Sequence, residues 1–322
     1  MGQMFDGVWH QERHDAPTGG GRFVRRKTRF HDWITADGSS GFKSEPGRYH
    51  LYVSTACPWA HRTLIFRALK GLDEVISVSV VHWHMADFGW EFKDGPGCTP
   101  DGVNGARYLH EVYAKARPDY TGRVSVPILW DKQESTIVNN ESEEIIRMLN
   151  RAFDAWAKPA PDFYPEALRA EIDGINEAVY HRVNNGVYKT GFASTQEAYD
   201  QAFGELFEEL DALEARLATR RYLAGERITE ADWRLFTTLL RFDPVYHGHF
   251  KCNQRRLVDY PNLWAYTREL YQWPGVAATV DVHHIKQHYY ASHTSINPHG
   301  IVPLGPQIDF RQPHDRGRLR AA

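Results

Sequence analysis

The sequence predicts an α/β domain followed by an all-α domain, and three observations carry that prediction. Residues 49–149 read as strand, helix, strand and then strand, strand, helix; residues 168–271 show helical spacing alone; a proline-rich stretch, 157–165, separates the two patterns. At 322 residues the chain exceeds the usual size of a single domain, so a division into two is the natural one.

Residues 1–46 are polar and rich in Gly and Arg, including Gly19-Gly20-Gly21, and predict a largely irregular extension that wraps the body. Phe23, Phe30, Trp33, Ile34 and Phe42 are too apolar for a free tail and serve as its anchors. Tyr49-His50-Leu51-Tyr52-Val53 is a run of strand formers. After Ser54 to Pro58, the spacing of Leu64, Ile65, Ala68 and Leu69 predicts a helix that Gly71 ends. Val75 to Val81 is β-branched and alternating, so the three elements make a βαβ unit with a right-handed crossover. Five glycines and two prolines between Phe88 and Arg107 predict a long surface loop.

Val124 to Trp130 reads as a strand entered through Pro127, and Ser135 to Val138 returns as its hairpin partner. Asn139-Asn140-Glu141-Ser142 then offers caps for a helix through Ile145, Ile146 and Leu149. The order βαβ then ββα is that of a thioredoxin-like domain. The expected boundaries are an extension at 1–46, a thioredoxin-like domain at 47–156, and a helical domain at 157–322 with an irregular C-terminal segment. Helices are predicted over 168–180, 196–217, 231–242 and 263–271. The third starts at Thr229, with Asp232 reaching back and Ile228 stapling to Trp233. Tyr289 to Pro306 is expected to be irregular and to fold back on the body.

Composition narrows the class. Hydrophobic residues at 42% and charged residues at 25% fit a folded globular protein rather than a disordered one. The net charge of −3, with acids and bases interspersed, gives no electrostatic case for nucleic acid. No run approaches the length of a membrane span, and the first residues lack the apolar core of an export signal. Three scattered cysteines are too few for a disulfide scaffold, which favours a reducing compartment and a cytoplasmic location.

The chemistry points to Cys57. Cys57-Pro58-Trp59-Ala60 lies where a strand gives way to a helix, so the sulfur is expected to face unpaired backbone N–H groups and the positive helix end. That setting favours the thiolate, which is a nucleophile and exchanges with disulfides at neutral pH. Pro58 suits the first helical turn because its missing N–H is not needed there. With Ala60 in the fourth position there is no adjacent resolving thiol, so a second small thiol or a distant cysteine has to open any disulfide formed at Cys57. A lone cysteine is commonly buried and inert; the junction and the following proline favour the reactive reading here. Cys98 and Cys252 have no such context. Val126-Pro127 sits where thioredoxin-like domains use a cis proline, an isomer that sequence does not reveal. Glu141 and Ser142 at a helix start suit an amine and a carboxylate, although such a pair is more often only a cap. His82 and His84 on one strand face, and His283, His284 and His288 on one helix face, raise a zinc site, against which no carboxylate or cysteine completes a ligand set.

Together these residues resemble the glutathionyl-hydroquinone reductases, the Xi class of glutathione transferases, over about residues 20–310. The resemblance lies in Ala56-Cys57-Pro58-Trp59-Ala60-His61-Arg62-Thr63, Gly89-Trp90-Glu91-Phe92, Val126-Pro127, Asn140-Glu141-Ser142, Arg241-Phe242-Asp243-Pro244-Val245-Tyr246, and the Tyr289-Tyr290 to Pro303 stretch. It implies the glutathione transferase fold, glutathione as co-substrate without a metal, a glutathionyl-hydroquinone as the other substrate, and a homodimer. It also implies roles. Cys57 takes the glutathionyl group as a mixed disulfide that a second glutathione resolves. Trp90 packs on glutathione with Arg123 nearby, Val126 before Pro127 offers backbone hydrogen bonds, and Glu141 with Ser142 holds the γ-glutamyl end. Tyr188, Tyr246 and either Tyr289 or Tyr290 match the family's substrate-side tyrosines, although with 16 tyrosines a packing role is the default for any one of them. Two rivals stand beside this reading: an omega-like transferase or dehydroascorbate reductase using the same cysteine, and a non-catalytic protein of the same fold.

Overall fold

A computed structural model describes residues 2–11, 19–25 and 27–319. By internal contacts the chain divides into two compact units. The first takes its residues from 1–16, 27–161 and 279–292, and the second from 17–26, 162–278 and 293–322.

The first unit is built on a four-stranded mixed sheet. Its strands are β5 (Tyr49–Val53), β6 (Ser77–Val80), β7 (Ile128–Asp131) and β8 (Thr136–Asn139), in the order β6-β5-β7-β8. β5 runs parallel to β6 and antiparallel to β7, as the βαβ-then-ββα order requires. All five residues of β5 are buried, which suits a central strand covered on both faces. Helix α1 (Pro58–Leu69) connects β5 to β6 and packs against α3 (Ser142–Arg151), while α2 (Leu109–Ala116) contacts β8. The α3 apolar stripe, Ile145, Ile146 and Leu149, is fully buried.

Three details depart from the expected elements. β6 ends at Val80, so His82 and His84 do not share a strand face; His84 N donates to His82 Nδ1 at 3.0 Å in a turn instead. The strand expected from Val124 begins only at Ile128, after a cis Val126–Pro127 bond. The N-terminal segment is not irregular throughout: β1 (Gln3–Phe5) and β2 (Val8–His10) form a hairpin, and β3 (Ile34–Thr35) pairs with β4 (Phe42–Lys43). The hairpin docks on the loop before residue 123 through Met4 N to Gly122 O at 2.9 Å and its reciprocal bond, and Trp9 stacks on His110 at 4.9 Å. The 88–107 loop is organised by Asp101, whose carboxylate accepts from Tyr52 OH and from the amides of Val103, Asn104 and Ala106.

The second unit is helical: α4 (Arg169–Val179), α5 (Gly186–Gly191), α6 (Gln196–Thr219), α7 (Glu230–Arg241), the single turn α8 (His247–His249) and α9 (Pro261–Tyr271). The four helices read from apolar spacing appear within a few residues of their expected ends. Thr229 caps α7 as anticipated, with its amide donating to Asp232 Oδ2 at 2.7 Å. Two π-helical turns, Tyr180–Asn184 and Phe242–Tyr246, interrupt the regular pattern. Pro244 explains the second, since a proline inside a helix has no N–H and crowds the preceding turn. A last helix, α10 (Val282–Ser292), carries Tyr289 and Tyr290 and groups with the first unit; the irregular segment begins only after it.

Candidate active site

The site is best assembled from Cys57 outward. Cys57 is the N-cap of α1, in extended conformation, with Pro58 in the first helical position. Its amide donates to Ser54 O at 3.1 Å and its carbonyl accepts from His61 N at 3.0 Å, which fixes the strand-to-helix corner. The sulfur is half-buried rather than sealed in apolar packing, and the Sγ thiol donates to Val126 O at 3.7 Å. Cysteine, helix start and the residue before the cis proline therefore meet within one unit. A helix N-terminus is the setting in which a cysteine thiolate is stabilised.

The residues expected to hold the tripeptide lie in the same unit. Val126 and Pro127 are buried at the entry to β7. Glu141 is the N-cap of α3 and Ser142 its first residue, completely buried. Arg62, from the second turn of α1, donates from Nη1 to Ser142 Oγ at 3.3 Å and lies 4.5 Å over the Trp59 ring. Burial, with repulsion from Glu143, holds the Glu141 carboxyl above the usual range, although Arg62 and a hydrogen bond from Thr28 Oγ1 pull the other way. A carboxyl held this way gains from an incoming ammonium group. Trp90 is buried and stacked on His288 of α10 at 4.7 Å, and His288 Nδ1 is 2.9 Å from Trp83 O. Arg123 is half-buried, its carbonyl accepting from Tyr120 OH at 2.8 Å.

The tyrosines divide between the two units. In the second, the π-turns end close to Tyr188 and Tyr246, whose rings lie 6.1 Å apart and share Phe250 as a neighbour at 5.5 Å from each. Tyr246 is fully buried and Tyr188 half-buried. In the first unit, Tyr289 is buried and Tyr290 half-buried on α10.

Cys252 is completely buried, which pushes its thiol far above the ordinary range. Burial also raises Cys98. Among the described residues no group of three or more His, Cys, Asp or Glu side chains is placed to hold a metal; His284, for one, directs Nε2 to Pro96 O at 2.5 Å. Three residues in contact with these candidates carried no such role in the sequence: Arg62 beside Ser142, His288 against Trp90, and Arg25, whose guanidinium sits 4.8 Å over the Tyr188 ring. Arg62 was visible as a charge on a face of α1 otherwise made of buried residues. The other two depend on long-range packing with no local signal.

The family model described as glutathione S-transferase, N-terminal domain, matches residues 56–152, and that described as glutathione S-transferase, C-terminal domain, matches residues 196–269. The chain is 54% identical to glutathionyl-hydroquinone reductase YqjG of Escherichia coli, over 98% of both proteins. The glutathione-bound structure of YqjG superposes with a TM-score of 0.91, covering 98% of this chain and 99% of that one. Glutathionyl-hydroquinone reductase PcpF of Sphingobium chlorophenolicum is 56% identical, over 95% of this chain and 96% of PcpF. A Xi class glutathione transferase from Natrialba magadii superposes with a TM-score of 0.95 at 51% identity, covering 99% of this chain and 98% of its own.

Proposed function

The chain belongs to the glutathionyl-hydroquinone reductases, the Xi class of the glutathione S-transferase family, and we propose that it uses Cys57 to reduce glutathionyl-hydroquinones to hydroquinones at the expense of glutathione. The observation that carries the role of Cys57 is its position as a half-buried N-cap of α1 with Sγ 3.7 Å from Val126 O.

The Cys57 thiolate attacks the sulfur of the thioether that joins glutathione to the aromatic ring. A sulfur–sulfur bond forms, the carbon–sulfur bond breaks, and its electron pair passes to the ring carbon, which takes up a proton. Sulfur is oxidised and carbon reduced, and the hydroquinone leaves a Cys57–glutathione disulfide behind. A second glutathione thiolate attacks that disulfide, forming glutathione disulfide and restoring Cys57. In this reading Glu141 and Ser142 hold the γ-glutamyl end, Val126 and Pro127 meet the cysteinyl backbone, and Trp90 and Arg123 flank the tripeptide. By the family resemblance, Tyr188, Tyr246 and either Tyr289 or Tyr290 take the substrate-side roles, donating hydrogen bonds to the ring oxygens and a proton to the carbon, where negative charge develops. A homodimer is the assembly the family resemblance implies, and sedimentation tests it.

The decisive experiment is intact-mass analysis after mixing the protein with a glutathionyl-hydroquinone. One glutathione on Cys57 and release of the free hydroquinone are expected, and Cys57→Ser should abolish both. Turnover surviving that substitution rejects the assignment, and a clear preference for dehydroascorbate rejects the substrate class.

A further inference from the structure

We infer that Arg25 is a specificity-determining residue, selecting glutathionyl-hydroquinones whose ring carries negative charge through a guanidinium fixed over Tyr188. The inference rests on the proposed reading that Tyr188 faces the substrate.

The segment around Arg25 is fastened to the helical unit at successive positions. Ser194 N donates to Gly21 O at 3.0 Å, Thr195 Oγ1 to Gly20 O at 3.2 Å, and Arg22 Nη2 to Gln201 Oε1 at 2.9 Å. Gly21 is required here: its φ is +70°, and a Cβ would come within 2.7 Å of the Thr195 side chain. Phe23 then stacks on Phe192 at 5.6 Å, so the chain is already held when it reaches Arg25.

Arg25 itself is held by a hydrogen bond and by ring contacts, one of them with Phe23 at 5.6 Å. Nε donates to Asn185 Oδ1 at 2.8 Å, and the guanidinium lies 4.8 Å over the face of Tyr188. Asn185 is buried at the end of the first π-turn, and its neighbour Asn184 is tied to Thr238 Oγ1 at 2.8 Å, so the acceptor is part of the rigid frame of the unit. A planar guanidinium anchored by a hydrogen bond and set against the Phe23 and Tyr188 rings keeps its orientation, which a lysine ammonium does less well. His249, which stacks on the Phe250 ring that also neighbours Tyr188, does not supply this charge, because burial lowers its pKa to about 4. A fixed cation beside half-buried aromatic rings is screened less than one in open solvent, so it discriminates by charge among rings of similar size.

The test compares two conjugates of matched size, one with a carboxylate on the hydroquinone ring and one with a neutral alkyl group, in the wild-type enzyme, Arg25→Gln and Arg25→Lys. For Arg25→Gln the ratio of kcat/KM, anionic over neutral, is expected to fall roughly tenfold, the order expected for loss of one charge-assisted contact. Arg25→Lys should recover much of that ratio, and added salt should lower it in the wild type only modestly. Parallel loss with both conjugates in Arg25→Gln means that the residue only packs, and overturns the inference while leaving the proposed reaction intact. An unchanged ratio overturns it as well. Failure of the wild-type enzyme to turn over either conjugate overturns the proposed reaction and this inference with it.

Discussion

Three thiols in one chain differ by their surroundings alone. Cys57 caps a helix and is half-buried, whereas burial raises both Cys98 and the fully enclosed Cys252. Since the thiolate is the reacting species, a limiting alkylating reagent at pH 7 should modify Cys57 first, by at least about tenfold over Cys98, with Cys252 untouched until the protein unfolds; peptide mapping after a short pulse checks this. Glu141 supplies a second prediction at this scale. Its carboxyl is raised by burial and then by Glu143. An acid with a raised folded-state pKa binds more protons folded than unfolded, so its contribution to stability is greatest at low pH and declines as pH rises from the unfolded value through the folded one. Glu141→Gln should therefore leave Tm equal or higher near pH 8, yet raise the KM for glutathione by roughly tenfold or more through loss of a charged hydrogen-bond acceptor. A fall in Tm with unchanged KM would make Glu141 a cap and nothing else.

At the scale of elements, the start of α7 shows what local sequence can and cannot disclose. Asp232 accepts from Thr229 N, Thr229 Oγ1, Leu223 N and Tyr266 OH, and is completely buried. Asp232→Ala should leave several of these donors without an acceptor and reduce unfolding free energy by about 3 kcal/mol, measured by urea denaturation. The Thr229–Asp232 pairing was legible because a capping box is written within four residues. The reach from Tyr266, 34 residues away, was not. The same contrast runs through the site. Cys57, Glu141 and Ser142 were found because each sits at a helix start that sequence marks, while Arg25 over Tyr188 joins positions 163 residues apart by number. The β1–β2 hairpin was overlooked although its signal is local. Asp6 and Gly7 both have positive φ, 46° and 75°, and an Asp-Gly pair flanked by Met4-Phe5 and Val8-Trp9 is the two-residue turn such hairpins favour. The Gly and Arg content of the surrounding segment obscured it.

For the whole molecule, the order in which the chain visits its two units has a thermodynamic consequence. The first unit takes 279–292 from beyond the bulk of the second, and the second takes 17–26 from within the N-terminal part of the first. Each of these segments has chain neighbours on both sides that belong to the other unit. Within its own unit each is also structurally used: His288 of α10 stacks on Trp90, and Phe23 stacks on Phe192. Unfolding one unit thus frees both ends of a segment on which the other depends, and the entropy gained by releasing those ends weakens its attachment. Chains of this length with two units commonly unfold in separable steps, so the interleaving makes a distinct prediction. In urea, exposure of the buried Cys252 thiol reports the second unit, and loss of glutathionylation at Cys57 reports the first. The two transitions should coincide in midpoint. A Cys252 transition well separated from loss of Cys57 chemistry would mean that the crossing segments carry too little of either unit's stability to couple them.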